Sequence, residues 1–162
     1  MSSTSSRRVD MPNPPQNTAP RETDEIRVKK DGGFFGITKP VICRLPNTQP
    51  QTAANYTTPF FIADRQYRVI GITARWETAG GGGGGAALQV RKVPSGTAPA
   101  SGTALLASTI DMTATANTNV AGSLSTTAGV LTLASGDAIS LESSGTIAAV
   151  VGLTVAVTLR SV

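Results

Sequence analysis

Residues 66–78 read QYRVIGITARWET, and a run of six glycines, Gly80 to Gly85, follows almost at once. Apolar and polar residues alternate along this stretch with a period of two. β-Branched and aromatic types are frequent, so the pattern predicts a long β-strand buried on one face. The face predicted to be buried carries Ile70, Ile72, Ala74 and Trp76, with Arg68 ahead of them, and the opposite face carries Tyr67, Val69, Thr73, Arg75 and Glu77.

The same stretch marks a change in composition. Eight of the ten prolines lie within the first 59 residues, whereas no aromatic residue follows Trp76. Proline fixes φ and removes a hydrogen-bond donor, which excludes a regular helix or a central strand. We therefore predict an extended, proline-rich arm over residues 1–56, with Gly32 and Gly33 as a hinge, and a β domain over residues 57–162.

Within and beyond the arm, short apolar stretches predict further strands. Residues 37–45 and 59–63 contain prolines, so we place them at sheet edges. Downstream strands are expected near residues 88–91, 104–113, 120–126, 131–133 and 139–142, and no segment has a sustained helical period. The last strand alternates most regularly, with one face formed by Leu153, Val155, Val157 and Leu159. Short strands at this spacing predict an all-β fold, an antiparallel β-sandwich of jelly-roll type.

Composition argues against several function classes. The 162 residues carry a formal net charge of +4, but only 15% are charged and histidine is absent. Without histidine the commonest general base and metal ligand is missing, so we expect no catalytic site, no cofactor and no metal. The N-terminus has no apolar segment of a secretory signal, and no apolar run approaches 18 residues. We expect a soluble protein made in the cytoplasm, with no membrane partner.

Three local motifs have structural interpretations. The glycine run lacks the Lys and Ser/Thr of a phosphate-binding loop, and Ala86, Ala87 and Leu88 lead from it into a strand, so we expect an inter-strand loop. Cys43, the single cysteine, lies in an apolar segment and is expected to be an inert packed thiol. Asp137 follows Gly136 and is expected to bond the backbone of its own turn rather than a cation.

The arm offers the most basic segment of the chain. Residues 1–56 contain 8 basic and 5 acidic side chains, which accounts for most of the net charge. The interleaved acids argue against nucleic acid, which would require six or so phosphate contacts. A protein surface is therefore the expected target. From charge and apolarity we nominate as binding residues Arg27, Lys29, Lys30, Phe34 and Phe35.

Two features bear on assembly. The predicted core lacks large side chains, and several strands present Ala and Thr rather than charged residues outward, so we expect a homo-oligomer. Tyr67 and Trp76 are expected in the core or at an oligomer interface. A sugar-stacking platform formed by these two rings is the alternative.

The sequence resembles a known group of proteins over residues 60–162. The resemblance lies in ADRQYRVIGITARWETAGGGGGG, in TATANTNVAGSLSTTAGVLTLASGDAISLE and in GLTVAVTLR. These segments are similar to the small β domains of virion structural proteins of tailed bacteriophages, above all to head decoration (cement) proteins. LASGDAISLE also looks like the penultimate turn of many jelly rolls.

This resemblance implies a jelly-roll-like domain that forms a homotrimer on the outer capsid surface of the virion. The arm would then bind between subunits of the major capsid protein and stabilise the head. An alternative is a receptor- or glycan-binding knob of a head or tail fibre, although no heptad pattern of a shaft is present. A polysaccharide-degrading enzyme is the least favoured interpretation, because the ten acids are scattered.

Overall fold

A computed structural model describes residues 38–45, 57–81 and 85–162, together with the strand backbone at 29–30 and 33–34. The chain divides into two units, Met1–Phe35 and Gly36–Val162. In the first unit β1 (Lys29–Lys30) pairs antiparallel with β2 (Gly33–Phe34), with Lys30 opposite Gly33. The predicted hinge residue Gly33 thus begins β2, while most of the rest of the predicted arm, apart from residues 38–45, lies outside the described residues.

The described residues of the second unit form ten strands and one short 3₁₀ helix, Pro99–Ser101. Its longer strands are β3 (Thr38–Arg44), β4 (Pro59–Ile62), β5 (Tyr67–Arg75), β6 (Ala86–Val93), β11 (Ala138–Gly145) and β12 (Thr154–Ser161). Four two-residue strands complete it, namely β7 (Thr103–Ala104), β8 (Ile110–Asp111), β9 (Val120–Ala121) and β10 (Thr132–Leu133).

The strands form two antiparallel sheets with jelly-roll connectivity. One sheet has the order β10-β5-β12-β3, with β9 also paired to β5. The other has the order β4-β11-β6-β7, with β8 also paired to β6. Because β7 with β8, and β9 with β10, each fill one position, the unit has eight strand positions. We number these positions 1 to 8 in chain order. The first sheet then has the order 1-8-3-6 and the second sheet has the order 2-7-4-5, which is the arrangement of a jelly roll. The predicted fold class is confirmed.

The core lies between the sheets and follows the predicted alternation most closely in β12. The side chains of Leu153, Val155, Val157 and Leu159 are each at most 1% exposed, whereas the residues between them are half-buried or exposed. β12 is central in its sheet, paired with β3 on one side and β5 on the other. A strand of this kind has one face committed to the core, so the prediction from alternation is confirmed.

The predicted faces of β5 are correct for only half of the strand. Ile72, Ala74 and Trp76 are buried as predicted, but Ile70 is 41% exposed, and Tyr67 and Val69 are buried instead. The cause is a β-bulge: Gly71 lies opposite Thr158 and Val69 opposite Leu159, so Ile70 is an extra residue. One extra residue reverses the facing of everything before it. Arg68, predicted on the buried parity, is therefore exposed.

The two proline-containing segments are edge strands, as predicted. β3 ends one sheet and β4 ends the other. β3 pairs with β12 from Thr38 to Arg44, however, and its Cys43 packs in the core. The compact unit accordingly begins at Gly36 rather than at the predicted boundary at residue 57, because the final strand requires this neighbour.

Two other local predictions can be compared with the structure. The strand expected over 104–113 is divided into β7 and β8, both paired with β6, and Leu106, Ile110 and Met112 in this segment are buried. The turn before β11 forms as predicted. Gly136 has φ of 89°, and a carboxylate oxygen of Asp137 accepts a bond from the Ala134 N–H at 2.8 Å.

Candidate functional site

The outer face of the sheet β4-β11-β6-β7 is covered over β6 and β11 by the chain's own loop. Ser140 is fully buried, and its hydroxyl donates to the Pro99 carbonyl at 3.3 Å. Arg91 donates from Nη1 to the Gly102 carbonyl at 2.7 Å and forms an ion pair with Glu142. The buried Gln89 accepts from the Leu106 N–H at 3.2 Å. Residues 99–102 therefore lie over β6 and β11 on this side of the sheet, which we call the covered face, whereas Ile62 of the edge strand β4 is 69% exposed.

The outer face of the opposite sheet is not closed in this way. It consists of the outward side chains of β3, β12 and β5, and we call it the open face. Register pairing arranges these side chains in four rows across the three strands. From one end to the other the rows are Arg44-Thr154-Arg75, Ile42-Ala156-Thr73, Pro40-Thr158-Gly71 and Thr38-Arg160-Arg68.

The centre of the open face is small and weakly polar, whereas both ends are cationic. Ile42 is 54% exposed beside Ala156, and the bulged Ile70 is also exposed. No acidic side chain occurs in the four rows, which lie wholly among the described residues. Arg160 lies directly opposite Arg68, an arrangement in which two like charges destabilise the sheet. This surface carries unneutralised positive charge.

The cations of the unit divide sharply by location. Away from the open face, Arg65 pairs with Asp64, Arg91 pairs with Glu142, and the Lys92 ammonium donates to two backbone carbonyls. The Lys39 ammonium lies 5.8 Å from the centre of the Phe61 ring. Within the part of the chain that the structure describes, no side-chain hydrogen bond or ion pair is found for the remaining four cations, Arg44, Arg68, Arg75 and Arg160.

A cleft accompanies the arginines at each end of the open face. At one end a cleft of about 330 Å³ is lined by both Arg44 and Arg75, together with the polar residues Thr73, Thr154 and Asn119. At the other end a cleft of about 440 Å³ is lined by Arg68 and by residues of the loop 125–132. Guanidinium, hydroxyl and amide groups together are suited to binding an oxyanion.

Among the described residues, two carboxyl groups and one thiol have shifted pKa values, and none of the three belongs to the four rows. The Tyr67 hydroxyl, 2.6 Å from Asp64, is the main cause that lowers the pKa of that carboxyl. The hydroxyl and the N–H of Thr113 lower the pKa of Asp111. Burial raises the pKa of the Cys43 thiol, which keeps it protonated and unreactive, as expected for a packed cysteine.

The side chains of the nominated arm residues lie outside the part of the chain that the structure describes. Lys29, Lys30 and Phe34 lie in the short strands β1 and β2, and their side chains are outside the described residues, as are Arg27 and Phe35. Their proposed contact with a capsid therefore stays a prediction.

The two aromatic residues nominated in the β domain both lie in its core. Trp76 is fully buried, and its indole N–H donates to the Ala114 carbonyl at 3.2 Å. Tyr67 is 5% exposed and makes an edge contact with Phe61, at 5.9 Å between ring centres. Neither ring face is open to a sugar.

The open-face arginines were not nominated from the sequence. The outward parity of β12 contained the signal for Arg160, which follows Thr154, Ala156 and Thr158 on one face. Their meeting on one surface depends on strand order and on the bulge of β5. Alternation along a single strand does not specify either.

Within the described ranges there is no group of three or more His, Cys, Asp or Glu side chains placed to hold a metal ion. No helix in the part of the chain described here is long and apolar enough to cross a membrane. No protein-family model, curated protein sequence or solved structure matches this chain.

Proposed function

We propose that this chain is a structural binding protein of a virion, a decoration (cement) protein on the outer surface of a tailed-phage head. The observation that carries the proposal is the asymmetry of the jelly roll. One outer face is covered over β6 and β11 by the chain's own loop, and the other is open and cationic. Jelly rolls are common in viral capsids and in lectins, so the fold permits this role without specifying it. The resemblance of residues 60–162 to phage head proteins supports the same role.

In the proposed mechanism the protein acts by binding alone. A homotrimer contacts neighbouring copies of the major capsid protein through its arms, and the open face offers a second, electrostatic contact. Each contact contributes modest affinity, but simultaneous engagement of linked sites raises the overall affinity well beyond that of one site. The decorated shell then resists expansion and breakage, because breaking the shell requires releasing many such contacts.

A glycan-binding fibre knob is less well supported. Sugar sites commonly use an exposed aromatic ring, and the four aromatic side chains that the structure describes are Phe60, Phe61, Tyr67 and Trp76. All four are buried or half-buried. The fibre hypothesis would need a site built from hydroxyls and arginine without a stacking platform.

The test is binding to heads of the phage that carries this chain, prepared without decoration. We expect the full chain to sediment with such heads at saturable stoichiometry and to raise the temperature at which they rupture. Residues 36–162 alone should bind more weakly, because the proposed arm contact is missing. Light scattering should give the mass of a trimer for both chains.

Two results would overturn the proposal. One is the absence of binding to undecorated heads by a full chain that is folded and trimeric. The other is saturable binding to host-cell glycans that exceeds binding to heads.

A further inference from the structure

The row Arg44-Thr154-Arg75 has the geometry of a two-armed anion clamp. Both arginines lie opposite the same residue, Thr154, one on each neighbouring strand. Their Cα atoms are therefore about 10 Å apart, two strand spacings, on the same side of the sheet. An arginine side chain spans most of that distance, so both guanidinium groups can reach a ligand held over Thr154. The two arginines line a single cleft with the Asn119 amide.

The site lacks an internal counter-charge. No acidic side chain lines the cleft. The nearest acid along β5, Glu77, packs over Gly152, where an added Cβ would lie 2.5 Å from the Glu77 carboxyl carbon. Among the described residues it forms no ion pair with Arg75. Both guanidinium groups therefore keep their donors available for a ligand.

We propose that Arg44 and Arg75, with Thr154 and Asn119, form a binding site for carboxylate groups, and that the ligand is an acidic segment of a protein partner. The site rests on its own geometry. The identification of the partner as a protein rests on the proposed function. Arginine binds a carboxylate through two parallel N–H donors, and the hydroxyl and amide offer further donors to the same oxygens.

Charge number and chemistry favour an acidic protein segment over nucleic acid. The open face presents four cations, whereas six to ten phosphate contacts are typical of a protein that holds nucleic acid at physiological salt. Single-stranded nucleic acid also requires exposed aromatic rings for stacking, and the described aromatic side chains are buried or half-buried. A few carboxylates spaced along one chain fit the charge of this surface.

The test is a calorimetric titration of the full chain with a hexaglutamate peptide at low salt. A hexaglutamine peptide is the control without side-chain charges. We expect the double variant R44Q/R75Q to weaken hexaglutamate binding by roughly tenfold or more, since one hydrogen bond to a charged group is typically worth about a factor of ten in affinity or more. The matched control R68Q/R160Q removes the same charge from the other end of the same face and should weaken binding by less than about threefold. The conservative variant R75K keeps the charge and should still lose part of the affinity, because the two-donor fork is gone.

Several outcomes would overturn this inference. Equal loss in the two double variants would mean that the face acts only through its general charge. Binding of inorganic phosphate or a single-stranded oligonucleotide that is as tight as hexaglutamate binding would contradict a carboxylate site. Thermal melting of each variant separates lost binding from lost folding. If R44Q/R75Q loses hexaglutamate binding but still binds heads fully, the site plays no part in head binding. The proposed decoration role would then remain intact.

Discussion

The two outer faces of this jelly roll use the same chemical groups in opposite ways. On the covered face Arg91 forms an ion pair with Glu142 and donates to the Gly102 carbonyl, so its charge is neutralised within the molecule. On the open face Arg68 and Arg160 lie directly opposite each other with no acid in their row. Paired charges stabilise the fold, whereas like charges that lie opposite each other cost stability. The difference supports the proposal that the open face binds a partner.

The same contrast appears in packing. The covering loop approaches so closely that Gly102 is buried, and an added Cβ there would lie 2.6 Å from the Lys92 carbonyl oxygen. On the open face Gly71 has no atom closer than 3.7 Å to such a Cβ. The loop over the covered face is thus in close backbone contact with β6, whereas the open face has space for a methyl group at Gly71.

Removing β3 should have the largest effect on this comparison, because β3 carries one edge of the open face. We expect residues 57–162 to lack a cooperative thermal transition, whereas residues 36–162 should fold. Without β3, the central strand β12 loses a hydrogen-bonded neighbour along Thr154–Arg160, and the core loses Cys43. Circular dichroism melting of the two chains checks this. A folded 57–162 chain with the same melting temperature would show that the sheet does not need its edge strand.

The glycine pair gives the next largest effect. Gly102→Ala should destabilise the protein by about 1–3 kcal/mol, because the methyl group meets a backbone carbonyl that cannot move without shifting β6. Gly71→Ala, its matched control on the open face, meets only ordinary contacts and should be neutral or stabilising by up to about 1 kcal/mol. Urea denaturation of both variants measures the difference. Equal costs at the two positions would mean that the covering loop is not packed closely.

Charge substitutions should change stability with opposite signs on the two faces. Glu142→Gln breaks a half-buried ion pair and should destabilise the protein by about 1 kcal/mol. Arg160→Glu places an acid opposite Arg68 and should stabilise it by roughly 0.2–1 kcal/mol, with the gain shrinking as salt is added. Urea denaturation at low and high salt measures both changes. If Arg160→Glu destabilises the protein as much as Glu142→Gln does, the open face has no surplus charge.

The sequence predicts the buried side chains correctly where the alternation of a single strand determines which face is buried. The alternation of β12 was predicted in full, since four apolar residues at a period of two admit one buried face. The prediction failed at Ile70, because a bulge depends on how two strands pair and leaves no mark in the alternation of either. It also placed β3 in the arm, because Pro40 and Pro46 made that segment resemble the prolines before it.

The candidate site was beyond sequence reasoning for a related reason. Arg44 and Arg75 are 31 positions apart, and they share a row only because both strands flank β12. The sequence provides the residues, but the jelly-roll strand order brings them together. The most basic segment along the chain lies in the arm rather than on this face.

The smallest expected effect concerns the corner between the sheets, where the Tyr67 hydroxyl donates to Asp64. This bond lowers the pKa of the Asp64 carboxyl in the folded state, so it stabilises the fold above the unfolded pKa, about 3.9. The contribution is lost as the pH falls through the folded pKa. Tyr67→Phe removes the donor, so the Asp64 pKa should rise and stability should depend less on pH in this acidic range. NMR titration of the carboxyl carbons checks this, with Asp111 as the internal control, because its pKa is lowered by Thr113 and should not move. An unchanged Asp64 pKa in the variant would mean that the neighbouring Arg65, not the buried tyrosine, determines it.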